Sequence, residues 1–243
     1  MCELFAMSAS QPTDVGPYLS RLMPRGGRTG PHADGWGVAY YEGRAARVFK
    51  DAFPAADSRY LALLARSRLK STAVVAHIRK ANPTTTAPCT ANTHPFEREW
   101  NGHSWIFAHN GKLPGLHEIP RSPTSRFHPL GGTDSELAFC MLLDAIACEQ
   151  GAAVALDPQS IVSAMEPLVR ELDALGEFNF ILSNGDHLFV HAHTRLHALE
   201  QSHPVDFDPA SRVILATEPL TGEDWRPLAP GGIRVYRSGT IAN

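Results

Sequence analysis

The order of the apolar segments constrains the fold of this chain more than any other feature of its sequence. Short segments with the apolar, β-branched and aromatic composition of strands occur near both ends, and two long segments with helical features lie between them. We predict strands over residues 2–7, 36–41, 45–50, 71–79, 104–109, 178–183, 187–191, 213–217 and 233–237, and helices over 16–22, 58–69, 133–150 and 158–174. This order favours one α+β domain with two stacked sheets.

Turn and capping residues support several of these boundaries. Residues 184–186 read Asn-Gly-Asp between two predicted strands, which is a strong hairpin signal. The first long helix begins at Thr133 and has Glu136 three residues later, the pattern of a capping box. We expect Cys140 and Cys148 to be packing residues of that helix. Predicted loops cover the Pro- and Gly-rich stretches 24–31 and 114–132 and the polar stretch 84–88.

Composition excludes several classes of protein. The chain has 243 residues, 43% of them hydrophobic, which is enough for a single domain over residues 1–243. The formal net charge is −3 and no basic run is visible, so we predict no nucleic-acid partner. No apolar stretch approaches the roughly 20 residues of a membrane span, and the N-terminus lacks the pattern of a signal peptide. We therefore predict a cytoplasmic location with reduced cysteines and no membrane association.

The second residue of the chain is a cysteine. Removal of Met1 would leave Cys2 as the N-terminal residue, which would then carry both a thiol and a free α-amine. The thiolate is a nucleophile, and the amine, whose reference pKa is about 7.7–8.0, can act as a base near neutral pH. The alternative is that Cys2 only opens a first strand as a small apolar residue.

Further segments contain side chains that suit one reaction. Arg79 ends a predicted buried strand, and its guanidinium matches a carboxylate. Asn110 and Gly111 can supply two N–H donors to a developing oxyanion. Asp134, at a helix start, is suited to an ammonium group, and the glycine-containing loop 32–37 enters a strand. Each also has a structural explanation: an ion pair, a turn, a favourable charge at a helix N-terminus and a tight turn.

The combination and order of these motifs resemble one known family, the class II or N-terminal-nucleophile glutamine amidotransferases, and most closely its stand-alone glutaminase members. The resemblance extends from Cys2 to about Arg237. Its motifs are Cys2, His77-Ile78-Arg79, Asn92-Thr93-His94-Pro95-Phe96, His109-Asn110-Gly111, Thr133-Asp134-Ser135-Glu136 and Thr217-Glu218-Pro219-Leu220.

The resemblance implies a role for each matching residue. Cys2 would attack the side-chain amide of glutamine, form a glutamyl thioester and release ammonia, after which water would release glutamate. Asn110 and Gly111 would form the oxyanion hole. Arg79 would bind the substrate α-carboxylate and Asp134 its α-ammonium, and a γ-glutamyl compound offers the same two charges.

The resemblance also implies a four-layer αββα sandwich, no cofactor and no bound metal. It leaves room for a separate protein that accepts the ammonia, because we recognise no synthase region in the chain. Two residues depart from the family pattern. Lys80 stands where relatives often carry an aromatic residue, and Asn82 where they often carry Thr or Ser.

Two other functions remain open from the residues alone. His187, His191, His193 and His197 crowd one segment, and two imidazoles on one strand face can begin a zinc site of a metal-dependent hydrolase. No third ligand with motif spacing is evident. The other alternative is a non-catalytic module with the same fold that senses glutamine or serves as a scaffold.

Overall fold

The computed structural model describes residues 2–81, 88–150, 157–201 and 210–242. The strands in this part of the chain are β1 (Glu3–Asp14), β2 (Trp36–Glu42), β3 (Ala45–Asp51), β4 (Lys70–Ile78), β5 (Phe96–Trp100), β6 (His103–Lys112), β7 (Glu177–Ser183), β8 (Leu188–His191), β9 (His197–Gln201), β10 (Arg212–Ala216), β11 (Arg226–Pro227), β12 (Ile233–Arg237) and β13 (Thr240–Ile241). The α-helices are α1 (Gly16–Leu22), α2 (Arg59–Arg66), α3 (Asp134–Gln150) and α4 (Pro158–Leu175).

These strands form two antiparallel sheets. The first sheet has the order β11-β9-β10-β1-β4-β2-β3, and the second has the order β13-β12-β8-β7-β6-β5. The long first strand β1 lies in the interior of the first sheet, paired with β10 on one side and β4 on the other. The start of the chain is thereby held between two strands that come from distant parts of the sequence.

Three apolar clusters show how the layers stack. One cluster lies between the sheets and includes Ala6 and Val75 from the first sheet and Ala108 and Ile181 from the second. A second cluster joins the other face of the first sheet to α1 and α2. The third joins the other face of the second sheet to α3 and α4. Because successive strand residues point to opposite faces, each sheet covers a core on both sides. The predicted four-layer αββα sandwich is confirmed.

Most predicted elements are present within a few residues of the expected bounds. The helix α1 and the strand β12 have the predicted limits, and the hairpin turn at 184–186 joins β7 to β8. Four strands were missed, of which β11 and β13 have only two residues each. The charged sequence of β5 hides its strand character, and such charged residues are common on a sheet edge, where β5 lies. The polar residues of β9 hide it in the same way. Most of the predicted polar loop 84–88 lies outside the described residues.

Two details of the helix α3 correct the prediction. Thr133 Oγ1 accepts a hydrogen bond from the Glu136 N–H at 3.1 Å, as expected of an N-cap. The Glu136 carboxylate, however, accepts a hydrogen bond from Gly131 N–H at 2.7 Å and pairs with Arg98 at 2.6 Å. The reciprocal half of a capping box is therefore replaced by an ion pair. Cys148 is exposed, whereas Cys140 is buried as predicted, because Ile146 and Ala147 form the buried face of the last turn and Cys148 lies outside it.

Among the helices of the described ranges, none combines the length and the apolar composition needed to cross a bilayer.

Candidate active site

Strand pairing brings the second residue of the chain next to Arg79. In the β1–β4 ladder Glu3 is paired with Ile78, so the residues one step further, Cys2 and Arg79, lie at the same end of the sheet. Asn110, near the end of β6, reaches this end from the second sheet. Asp134, the first residue of α3, closes the group from the outer layer. Residues separated by more than a hundred positions thus meet at one end of the sandwich.

The Cys2 thiol is half-buried and contacts the backbone of Lys80. Its sulfur accepts a hydrogen bond from the Lys80 N–H at 3.3 Å and lies 3.5 Å from the Lys80 carbonyl oxygen, to which the thiol can donate. Lys80 therefore touches the sulfur through its main chain, where the sequence drew attention only to its side chain. Asn82, the other departure from the family pattern, lies outside the described residues.

Asn110 holds both ends of the Cys2 residue. The Cys2 nitrogen donates to Asn110 Oδ1 at 2.8 Å, and Asn110 Nδ2 donates to the Cys2 carbonyl oxygen at 2.8 Å. Nδ2 also donates to Thr217 Oγ1 at 3.3 Å, and the same hydroxyl oxygen accepts the Leu4 N–H at 2.9 Å. Both hydrogens of the amide therefore have acceptors within the protein, and the Asn110 side chain is wholly buried.

The loop before β2 holds Arg79 in place. The Arg79 N–H donates to Gly35 O at 2.8 Å, the Asp34 N–H donates to Arg79 O at 3.1 Å, and Arg79 Nη1 lies 3.4 Å from Asp34 O. The Asp34 carboxylate accepts the Ala81 N–H at 2.8 Å. Gly35 has a φ of +132°, a conformation that favours glycine. The sequence marked the loop 32–37 without a role, and its role here is to position the arginine segment.

Asp134 has two structural hydrogen bonds and also faces the cavity. Its Oδ2 accepts the Leu113 N–H at 2.8 Å, and its Oδ1 accepts the Ser135 N–H at 2.8 Å. The carboxylate thus ties the turn after β6 to the start of α3, where the helix N-terminus also favours negative charge. Asp134 can stabilise the helix start and also bind an ammonium group, because a carboxylate can accept about four hydrogen bonds.

A cavity of about 510 Å³ joins these residues. Cys2, Arg79, Gly111 and Asp134 line it together with Lys80, Lys112, His117 and neighbouring residues. Asn110 lies behind Cys2 and is not part of the cavity wall. A side chain on Gly111 would overlap the Glu177 carbonyl oxygen, so the close approach of β7 requires glycine there. The geometry therefore provides a pocket with a thiol, a guanidinium and a carboxylate on its wall.

Burial raises the pKa of the Cys2 thiol above its ordinary value. The Lys80 N–H and Arg79 act in the opposite direction, and Asp134 adds to the increase. Burial is the largest cause because a thiolate loses hydration in the interior. A thiol with a raised pKa is mostly protonated at neutral pH, so its use as a nucleophile requires a nearby base.

Three buried histidines surround this end of the sandwich without contacting the sulfur. His109 Nδ1 lies 2.8 Å from Ser135 Oγ and Nε2 lies 3.1 Å from Glu177 O, so this residue ties β6 to α3 and β7. The rings of His77 and His94 are 4.1 Å apart. Burial lowers the pKa of all three, that of His77 to about 3. The histidines of these three sequence motifs are therefore neutral, and His94 and His109 also line the cavity.

The histidine-rich segment does not converge on one point. His191 Nε2 and His193 Nδ1 both approach Asp173 Oδ1, at 3.0 and 3.3 Å, whereas His197 Nδ1 donates to Thr217 O at 2.9 Å. His187 lies at the far end of β8. Within the described ranges, no group of three or more His, Cys, Asp or Glu side chains is placed to hold a metal ion. The arrangement gives no support to the predicted zinc site.

Sequence reasoning missed one buried polar residue near the site. Asn179 stands opposite Asn110 in the β6–β7 ladder, and its Nδ2 donates to Asn110 O at 3.0 Å. It occurs within Phe178-Asn179-Phe180, which has the apolar composition of an ordinary buried strand. Only the position of this asparagine in an otherwise apolar strand could have indicated it.

Comparison with known families gives the class to which this fold and pocket correspond. The model of the family described as "Glutamine amidotransferases class-II" matches residues 1–243. The chain belongs to the class II glutamine amidotransferases, as the resemblance of its motifs predicted.

Individual relatives agree with this family. YafJ of Escherichia coli (strain K12) is 38% identical over 257 residues, an alignment that covers 98% of this chain and 98% of YafJ. A crystal structure from Pseudomonas aeruginosa PA01, described as a predicted glutamine amidotransferase, has a TM-score of 0.75 and 32% identity and covers both chains completely. The glutamine phosphoribosylpyrophosphate amidotransferase of B. subtilis has a TM-score of 0.69 at 17% identity, covering 99% of this chain and 48% of its own, and shares the fold.

Proposed function

We propose that this protein is an amidohydrolase in which Cys2 cleaves the side-chain amide of glutamine or of a γ-glutamyl compound. One observation carries the proposal: the Cys2 sulfur lies on the wall of a cavity that Arg79 and Asp134 also line. A free amino acid carries a carboxylate and an ammonium group, and these are the charges that a guanidinium and a carboxylate bind.

The first chemical step forms a bond between the Cys2 sulfur and the amide carbon of the substrate. Since burial raises the pKa of the thiol, a base must take its proton. The α-amine of Cys2 is the base on the same residue, provided that Met1 has been removed. The C–N bond of the tetrahedral intermediate then breaks, ammonia leaves with the proton, and water hydrolyses the glutamyl thioester to glutamate.

The oxyanion hole of this proposal consists of the Asn110 Nδ2 and the Gly111 N–H. Asn110 must redirect one of its two amide hydrogens for this purpose. The bond to Thr217 Oγ1, at 3.3 Å, is longer than the bond to the Cys2 carbonyl, at 2.8 Å. The weaker bond is the one that we expect to exchange for the developing oxyanion. Loss of one such donor typically costs about 10²–10³ in turnover.

Glutamate release from glutamine tests this proposal. Protein with Met1 removed is incubated with glutamine or with a γ-glutamyl dipeptide, and both glutamate and the released ammonia or amine are measured. We expect release by the wild-type protein and by Cys148→Ala, which removes an exposed thiol on α3, and none by Cys2→Ala. Equal release by wild type and Cys2→Ala would contradict the mechanism, and a wild-type protein inactive on both substrates would favour the sensing or scaffolding module.

Three further parts of the prediction belong to the same proposal. Residues 1–243 form one glutamine amidotransferase domain, the protein acts in the cytoplasm, and its ammonia is either released or taken up by a separate protein. Co-purification of a partner whose presence lowers the yield of free ammonia per glutamate would support the last possibility.

A further inference from the structure

Asn179 occupies an unusual place for a polar side chain. It lies directly opposite Asn110 in the β6–β7 ladder and is wholly buried. Along β7 its neighbour on the same face is Ile181, which belongs to the apolar cluster between the sheets. Burying an amide among apolar side chains costs free energy unless its polar atoms are all hydrogen-bonded. A residue of this kind at this place therefore requires a specific explanation.

Every polar atom of the Asn179 side chain has partners. Its Oδ1 accepts the N–H groups of His193, Thr194 and Arg195, at 2.9, 2.9 and 3.1 Å. Its Nδ2 donates to Thr194 Oγ1 at 2.9 Å and to Asn110 O at 3.0 Å. The oxygen thus organises the turn after β8, and the nitrogen links that turn to the residue that holds Cys2.

The bond to Asn110 adds to the restraint that the β6–β7 ladder places on this residue. The strand β5 pairs with β6 only as far as Phe107, opposite Phe96. Beyond that point, in the part of the chain that the structure describes, β7 is the neighbour of β6 in the sheet. Asn110 therefore lies on a strand end that is supported from one side, and its side chain must still reach both the nitrogen and the carbonyl oxygen of Cys2.

We infer that Asn179 is a positioning residue for the reaction, a role that rests on the proposed function. Its Nδ2 fixes the main chain of Asn110, and Asn110 in turn holds the Cys2 nitrogen, which becomes the amine once Met1 is removed, and presents an N–H to the oxyanion. Asn179 lies outside the walls of the substrate cavity, so its effect reaches the substrate only through Asn110. Its loss is expected to lower kcat and to leave KM almost unchanged, because Arg79 and Asp134 bind the substrate independently of it.

Asn179→Asp separates the two functions of this side chain. Aspartate has the same shape and still accepts the three N–H groups of the turn, but it has no N–H to donate to Asn110 O. The matched control is Asn184→Asp in the turn between β7 and β8. Asn184 Oδ1 accepts the N–H groups of Asp186 and His187, at 3.2 and 2.9 Å, and this residue has no part in the cavity.

We expect Asn179→Asp to lower kcat at least about tenfold with KM within about twofold of wild type, whereas Asn184→Asp keeps both constants. If the aspartate variant does not fold, Asn179→Ala removes the same donor without adding a charge, and the same fall in kcat is expected. A folded Asn179 variant with wild-type kcat, or one in which only KM changes, would overturn the inference.

A second measurement does not depend on turnover. The rate at which iodoacetamide alkylates Cys2, followed by the mass of the peptide that contains Cys2, reports the environment of the thiol and its base. We expect slower alkylation in the Asn179 variant and an unchanged rate in Asn184→Asp. If the wild-type protein hydrolyses neither substrate, the proposed function fails, while a selective change in alkylation still supports the link from Asn179 to Cys2. Equal alkylation in all three proteins overturns that link.

Discussion

Two regions of this molecule contain clusters of chemically active side chains, and they differ in how the chain builds them. The histidine-rich segment 187–197 gathers its residues by proximity in sequence, and their rings reach different partners: the carboxylate of Asp173, the carbonyl of Thr217 and the apolar core. The cavity at Cys2 gathers residues from the two sheets and from α3, and they line one space.

The difference follows from strand geometry. Neighbouring residues of a strand point to opposite faces of the sheet, and residues beyond the next turn lie on a different part of the chain. Closeness in sequence therefore does not bring their side chains to one site. Residues at the ends of paired strands converge whatever their separation in sequence, as Cys2 and Arg79 do through the β1–β4 register. The density of histidines in a sequence is therefore weaker evidence of a site than a set of single residues at strand ends.

The largest expected difference between the two regions concerns the nucleophile. Cys2→Ser replaces the thiol by a poorer nucleophile, and we expect glutamate release to fall at least about a thousandfold. His193→Ala, in the histidine-rich segment, is expected to keep wild-type release within about twofold. Steady-state kinetics on glutamine measure both. A His193 variant as inactive as Cys2→Ser would reverse the comparison.

A substitution of Arg79 tests whether the guanidinium on the cavity wall binds the substrate. Arg79→Gln removes the positive charge, and we expect KM for glutamine to rise about 10- to 100-fold, the range for loss of hydrogen bonds to a charged group. The corresponding change in the other region is Arg195→Gln, which removes an exposed ion pair with Glu218 and is expected to leave KM within about twofold. An unchanged KM in Arg79→Gln would remove this residue from substrate binding.

A smaller effect is expected from Asp134. Asp134→Asn keeps an acceptor for one of the two N–H groups at the helix start and loses the negative charge. We expect KM for glutamine to rise about tenfold and the free energy of unfolding to fall by about 1 kcal/mol, since one of these hydrogen bonds weakens. Kinetics and urea unfolding separate the two effects. A loss of stability with unchanged KM would make Asp134 structural only.

The buried histidines around the cavity are expected to affect stability in acid. Burial lowers the pKa of His77 to about 3, whereas an unfolded histidine has a pKa of about 6.5, so the unfolded state binds more protons between these values. The contribution is complete above about pH 6.5 and is lost as the pH falls towards 3. His77→Leu should therefore reduce the slope of unfolding free energy against pH by about 1.4 kcal/mol per pH unit below pH 6.

Urea unfolding at several pH values between 5 and 7 measures this slope. His193 is half-buried beside Asp173, and His193→Ala provides the comparison from the histidine-rich segment. An identical slope in His77→Leu and wild type would contradict the lowered pKa, because it would show that His77 binds protons equally in the folded and the unfolded protein.

The sequence predicted the α+β class because short apolar segments and two central helices are local patterns, whereas the four-layer sandwich was implied by the resemblance to the family. It predicted which residues define the family but not how they meet, since the pairing of Cys2 with Asn110 joins positions 108 residues apart. Strand register determines that both Asn110 amide hydrogens have acceptors and that Asn179 donates a hydrogen bond to Asn110 O. Residue types alone do not determine this register. The exposure of Cys148 depended on which face of the last turn of α3 meets the core.

The central claim is that the nucleophile is the Cys2 thiol beside an unblocked α-amine. Its most direct test is the intact mass of the cellular protein before and after reaction with an electrophilic glutamine analogue. The account predicts that Met1 is absent and that a single adduct is found on Cys2, with Cys89, Cys140 and Cys148 unmodified. An adduct on another cysteine, or active protein that retains Met1, would contradict it.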